Sequence, residues 1–192
     1  MILLSGSTLC VLFNICIFLI LRKAYPTLSN IKRSIIFSFS GLFGVIILAI
    51  NGPTLSAVKV MILFGILLFA SISDIQTREV SDSIWIMIFI LSLVGLESTN
   101  LASMVIGAVS VFIPQMIVAI TRPGSIGGAD IKITTATAFL LGAEKGILAL
   151  LTGLALAIIT MMGLHMVKRH DKENSFPLVP FLSIGTILSY FI

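Results

Sequence analysis

The sequence is poor in charge. Its 12 Lys and Arg and 8 Asp and Glu make up 10% of 192 residues, against about 25% in a soluble domain. With 58% hydrophobic residues and a mean hydropathy of +1.18, this composition excludes a water-soluble globule, a disordered chain and a nucleic-acid-binding domain, although the net charge is +4 and the pI is near 9.3. Cysteine is equally scarce. Cys10 and Cys16 lie in the same apolar run, in no CxxC arrangement, so they form neither a disulfide scaffold nor a metal clamp and read as small packing residues. The chain also lacks a basic stretch ahead of its first apolar run: it begins Met-Ile-Leu-Leu-Ser, and Arg22 and Lys23 come after the run. The first segment therefore reads as a membrane helix and not as a cleaved signal peptide.

Long apolar runs are what the sequence has. They cover residues 3–21, 34–50, 55–73, 83–96, 101–121, 131–141, 146–167 and 176–192. A perpendicular crossing takes about 20 residues, so the fourth and sixth runs are short. The expected fold is all-α, a polytopic transmembrane helical bundle of six to eight helices, eight preferred, with residues 1–192 as a single membrane-embedded domain. If the eight runs alternate, Arg22, Lys23, Lys32, Arg33, Arg78, Arg122, Lys132, Lys168, Arg169 and Lys172 share one face, leaving only Lys59 and Lys145 on the other. The excess of cations marks the cytoplasmic side. Both termini are then expected outside, with short outer turns at Asn51-Gly-Pro53, Glu97-Ser-Thr-Asn100 and Gly142-Ala-Glu-Lys-Gly146.

Six of the eight acids, Asp74, Glu79, Asp82, Asp130, Asp171 and Glu173, fall on the cation-rich face. Asp74 closes the third run and Asp130 opens the sixth, and an ionisable group at membrane depth is costly enough to imply function. An acid at a helix end also has blander roles, solvated or as an N-cap. Together the two are more informative, because close carboxylates cannot both ionise: one keeps a proton as acid while the other accepts a proton from water. Gly124, Gly127 and Gly128 ahead of Asp130 would let backbone approach an extended peptide, or simply form a flexible loop. Helix dipoles favour ionisation of Asp130 at a helix start and protonation of Asp74 at a helix end, making Asp130 the base and Asp74 the acid. His165 and His170 have no third ligand at metal-like spacing, so no metal and no cofactor is expected. Trp85 reads as an interface anchor, Arg78 and Lys132 as topology signals that also stand near the two acids, and Pro114 as a kink in the fifth helix that frees a carbonyl.

These residues resemble a known family. Asp74-Ile-Gln-Thr-Arg-Glu-Val-Ser-Asp82-Ser-Ile-Trp85, with Gly127-Gly-Ala-Asp130-Ile-Lys, is similar to the paired motifs of type IV prepilin peptidases and the related archaeal preflagellin peptidases, membrane aspartic proteases with a Gly-x-Gly-Asp motif. Arg-Glu-Val-Ser-Asp-x-x-Trp looks more like the archaeal branch, and Ser-Phe-Pro-Leu-Val-Pro-Phe-Leu182 resembles a Pro-Phe segment near the end of the family core. The chain departs from the motif at Ala129, and its loop 22–33 holds no Cys and hence no zinc-binding insert of the kind linked to N-methylation. The resemblance implies that Asp74 and Asp130 are the catalytic pair. The implied partner is a prepilin-like or preflagellin-like precursor, with a short basic leader before an apolar helix, cut at the cytoplasmic face of the cell membrane. Gly127 and Gly128 are expected to border the peptide, and Glu79 and Asp82 to attract the leader, Asp82 alternatively capping the fourth helix. Two other readings stay open: a small proton-coupled transporter component and a non-catalytic membrane assembly subunit.

Overall fold

The computed structural model describes residues 2–24, 30–95, 101–167 and 176–192. Among them it contains eight helices and no strand: α1 (Ile2–Ala24), α2 (Asn30–Asn51), α3 (Leu55–Thr77), α4 (Ser83–Leu93), α5 (Leu101–Thr121), α6 (Gly128–Leu141), α7 (Ala143–Val167) and α8 (Val179–Phe191). An apolar chain in lipid must satisfy its backbone internally, and helices do so segment by segment. Among the described residues, four segments are long and apolar enough to cross a bilayer, Ser34–Asn51, Leu55–Thr77, Leu101–Thr121 and Ala143–Leu164, and the protein is a multi-pass helical membrane protein. α4, α6 and α8 have 11, 14 and 13 residues. At about 1.5 Å per residue none reaches the roughly 30 Å of a hydrocarbon core.

The chain divides into two compact units, Met1–Gly65 and Ile66–Ile192. In the first, α1 packs on α2. Ser40 Oγ donates to Asn14 Oδ1 at 2.6 Å, both side chains being buried, a polar pair joining two apolar helices. Phe18 meets Phe37 edge to face at 5.9 Å on the exposed side, and Phe43 stacks on the buried Phe64 at 4.0 Å.

The second unit is built around α6, which packs against α4, α5, α7 and α8. Ile131, Ile133, Thr134, Ala136, Thr137 and Ala138 are all buried. This explains a short helix in so apolar a protein: α6 is surrounded by protein along much of its length. Small residues let its neighbours come close. A Cβ on Gly107 of α5 would stand 2.7 Å from the Gly142 carbonyl, one on Gly146 of α7 would stand 2.7 Å from Ala138 Cα, and one on Gly153 would stand 2.9 Å from Leu182 Cα. On α8, a Cβ at Gly185 would run into the Ala149 carbonyl and stand 2.5 Å from Gly153 N. With no hydrophobic drive between helices in lipid, such backbone proximity is what dispersion needs. At φ 85°, Gly142 ends α6, donating its N–H to the Ala138 carbonyl at 2.9 Å, and Ala143 N–H donates to Ser103 Oγ.

α5 runs through Pro114 as one helix. The expected outer turn at 97–100, the loop 168–175 with Lys168, Arg169, His170, Asp171, Lys172 and Glu173, and the side chains of Cys10, Lys32, Arg33 and His165 lie outside the described residues.

Candidate active site

Two acids of the second unit, Asp74 and Asp130, stand near enough for the charge of one to act on the other. Asp74 lies in the last turn of α3 and is 9% exposed. Its Oδ2 accepts a hydrogen bond at 3.1 Å from the N–H of Val179, 105 residues further along the chain. Val179 begins α8, where backbone N–H groups have no partner within the helix. The Asp74 carboxylate thus satisfies an orphan donor and is held by it. One turn earlier, Ser71 Oγ donates to the Leu67 carbonyl at 2.7 Å and lies 3.0 Å from Ser183 Oγ, so α3 and α8 are joined by buried polar bonds over two successive turns.

Asp130 is the third residue of α6 and is partly buried. Its Oδ2 accepts the N–H of Gly127 at 3.2 Å, half of a capping box. Burial pushes its carboxyl up, the charge of Asp74 pushes it further, and the Gly127 N–H opposes both; the outcome is about 6. The helix dipole by itself favours the ionised form of Asp130. Desolvation and a like charge outweigh the dipole, and Asp130 holds its proton to higher pH than an ordinary carboxyl.

The two glycines before Asp130 have different surroundings. A Cβ on Gly127 would stand 2.7 Å from Asp130 Oδ2, so a larger residue there would displace the Asp130 carboxylate from this position. A Cβ on Gly128 would meet nothing within 4 Å, so nothing in the described structure demands a glycine there. Both glycines are exposed.

Glu79 and Asp82, expected to face a basic leader, are exposed in the turn between α3 and α4. Arg78 opens that turn with φ 58°, in the left-handed region, and donates its N–H to the Asp74 carbonyl at 3.2 Å. The Glu79 carbonyl then accepts from Ser73 Oγ at 2.7 Å and Thr77 Oγ1 at 3.1 Å, which folds the turn back on α3. Asp82 occupies the N-cap position of α4 but makes no side-chain cap bond. Its carboxylate instead meets Lys132 Nζ of α6 at 2.6 Å, and the lysine holds its carboxyl below the usual range. Lys132 is therefore the partner of Asp82; the shift at Asp130 comes from burial, Asp74 and Gly127.

Sequence reasoning missed the polar groups behind these acids: the N–H of Val179, the Ser71–Ser183 pair, and Gln115 of α5, which bonds to Thr134 of α6. A glutamine in an otherwise apolar run was the available signal for the last. Among the described residues no three His, Cys, Asp or Glu side chains gather as a metal site.

A short buried helix and two partly or wholly buried acids stand at one end of a unit of an α-helical membrane protein, an arrangement with acid-base capacity. The type IV leader peptidase family model matches residues 61–162, just over half of the chain, and the chain belongs to that family of proteases. Both acids lie inside the matched stretch, whereas α8 and the Val179 N–H lie beyond it. No curated protein and no solved structure matches the chain.

Proposed function

We propose that the chain is an aspartic endopeptidase in which Asp74 and Asp130 activate water to remove the short basic leader of a type IV prepilin-like or preflagellin-like precursor. The observation that carries this reading is the proximity of two acids from distant parts of the sequence, close enough for the charge of Asp74 to raise Asp130. In the mechanism, protonated Asp130 donates its proton to the scissile carbonyl oxygen while ionised Asp74 takes a proton from the attacking water. The tetrahedral intermediate collapses as the amine accepts the proton now on Asp74, the C–N bond breaks, and one hydroxyl of the intermediate returns its proton to Asp130 as the C=O re-forms. Water supplies the hydroxyl of the new carboxyl and, through the acids, the proton of the new amine.

The cation-rich end of the chain is the cytoplasmic one. The precursor's apolar helix lies in lipid beside the bundle, with its basic leader among the inner acids. Among these, Glu79 is exposed with no ion pair among the described residues, whereas the charge of Asp82 is engaged by Lys132. Glu79 is therefore the stronger attractor of the leader. Gly128, with open space above it, borders the peptide.

The test is cleavage of a basic-leader, apolar-helix precursor in membranes by wild type, Asp74→Asn, Asp130→Asn and, as control, Glu144→Gln in the first turn of α7. Loss of cleavage in the two aspartate variants alone is expected. Cleavage surviving in either overturns the dyad. Processing intact in both points to an assembly subunit, and loss of proton-coupled flux points to a transporter.

A further inference from the structure

We propose that Gln115 on α5 is a positioning residue for this reaction: through Thr134 its side-chain amide fixes the first turn of α6, and with it the placement of Asp130 against Asp74. The inference rests on the dyad reading above. Gln115 is 6% exposed and sits in a helix that is apolar enough to cross the membrane. A buried amide there is costly unless its hydrogen bonds are made, and leucine would pack at lower cost if filling space were its only role.

Its bonds tie α5 to Thr134 of α6. Gln115 Nε2 donates to the Val111 carbonyl at 3.2 Å and to Thr134 Oγ1 at 2.9 Å. Thr134 has one hydroxyl proton, and of the acceptors in reach the nearest is the carbonyl of Asp130 at 2.7 Å; the Ile131 carbonyl and Gln115 Oε1 both stand at 3.1 Å. Amide, hydroxyl and carbonyl thus form a chain from α5 to the backbone of Asp130 itself, each bond polarising the next. Thr137, three residues on, bonds only to the Thr134 carbonyl of its own helix, so a buried threonine on α6 does not need a partner on another helix.

Among the described residues, the first turn of α6 makes no other buried side-chain hydrogen bond to another helix. It emerges from exposed residues 121–125, and its remaining side-chain link to another element is the exposed Lys132–Asp82 pair. Pro114, adjacent to Gln115, removes the backbone donor that the Ser110 carbonyl would otherwise receive. The Gln115 side chain returns a donor to the neighbouring carbonyl at Val111 in that turn.

The experiment uses the full-length chain in liposomes, comparing Gln115→Leu, Thr134→Val, Thr134→Ser and Asp130→Asn. It measures kcat and KM for precursor cleavage, thermal unfolding, and the pH midpoint of the Asp130 carboxyl by infrared difference against Asp130→Asn. Gln115→Leu and Thr134→Val are expected to lower kcat by about tenfold to a hundredfold, the scale of a misplaced reacting group, with KM little changed and the Asp130 midpoint moved. Thr134→Ser, which keeps the hydroxyl, is expected to restore both. Because valine keeps the shape of threonine, Thr134→Val carries the test even where Gln115→Leu fails to fold. Unfolding at lower temperature with kcat and the Asp130 midpoint unchanged would mean a purely structural bond and overturn the proposal. Asp130→Asn that still cleaves overturns the dyad reading beneath it; Asp130→Asn inactive beside an unaffected Thr134→Val overturns the positioning role alone.

Discussion

The two units of this protein are held together by different chemistry. The first is joined by a buried Asn14–Ser40 bond and by apolar contacts, with Phe18 meeting Phe37 at the surface and Phe43 stacked on the buried Phe64. The second brings backbones into direct approach through Gly107, Gly146, Gly153 and Gly185 and carries its polar bonds to the acids. Where two carboxyls from distant segments must be held in register, glycine and hydrogen bonds fix position more sharply than apolar bulk, because neither can be satisfied after a slip of one residue.

The sharpest way to break this comparison is to add volume to each unit. Gly185→Val places carbon against the Ala149 carbonyl and 2.5 Å from Gly153 N, and a loss of about 3 kcal/mol or more is expected, read as a fall in the unfolding temperature in detergent. Gly41→Ala in the first unit meets Asn14 Oδ1 at 3.5 Å, ordinary contact, and is expected to change stability by less than about 0.5 kcal/mol or to raise it slightly. Equal losses at the two sites would remove the distinction.

The next test separates two adjacent glycines. Gly127→Ala presses on Asp130 Oδ2, and a fall in cleavage of about tenfold to a hundredfold is expected. Gly128→Ala enters open space, so its unfolding temperature is expected to stay at the wild-type value. A cleavage defect in that stable variant places the precursor at residue 128.

A third, smaller effect is set by pH. Burial and Asp74 raise Asp130 to about 6, above the roughly 4 of an unfolded chain. The folded state therefore holds a proton that the unfolded state gives up, and the stability this contributes is present below about pH 4 and lost as pH rises through about 6. With Asp130 as the acid, kcat/KM is expected to hold up to about pH 6 and to decline above it, approaching about tenfold per unit well above the midpoint. Asp130→Asn should flatten the stability profile there; an unchanged profile would show that another group titrates.

The smallest effects belong to the exposed turn. Arg78 at φ 58° bears a conformation that costs a residue with a Cβ about 1 kcal/mol, so Arg78→Gly is expected to be neutral or slightly stabilising. Asp82→Asn removes an exposed, solvent-screened pair and should leave the unfolding temperature almost unmoved. A large loss from Asp82→Asn would mean that this pair, and not Gln115, is the main hold on α6.

Composition and hydropathy alone determined that this chain is a helical membrane protein, because a chain so poor in charge cannot be solvated and must close its backbone bonds within helices. Asp74 and Asp130 were legible as ionisable groups at the ends of apolar runs, and their flanking residues pointed to the leader peptidase family. The tertiary structure alone decided which groups surround them. The N–H of Val179 reaches Asp74 across 105 residues, Lys132 turns to Asp82, and the steric demand at Gly127 comes from Asp130 Oδ2. Local dipoles, all that sequence offers on proton affinity, gave the wrong direction for Asp130, since burial and the charge of Asp74 arise only once the helices have packed. Hydropathy and capping act over one or two turns and can be read along the chain; desolvation, like-charge repulsion and interhelical hydrogen bonds depend on distances that exist only after folding.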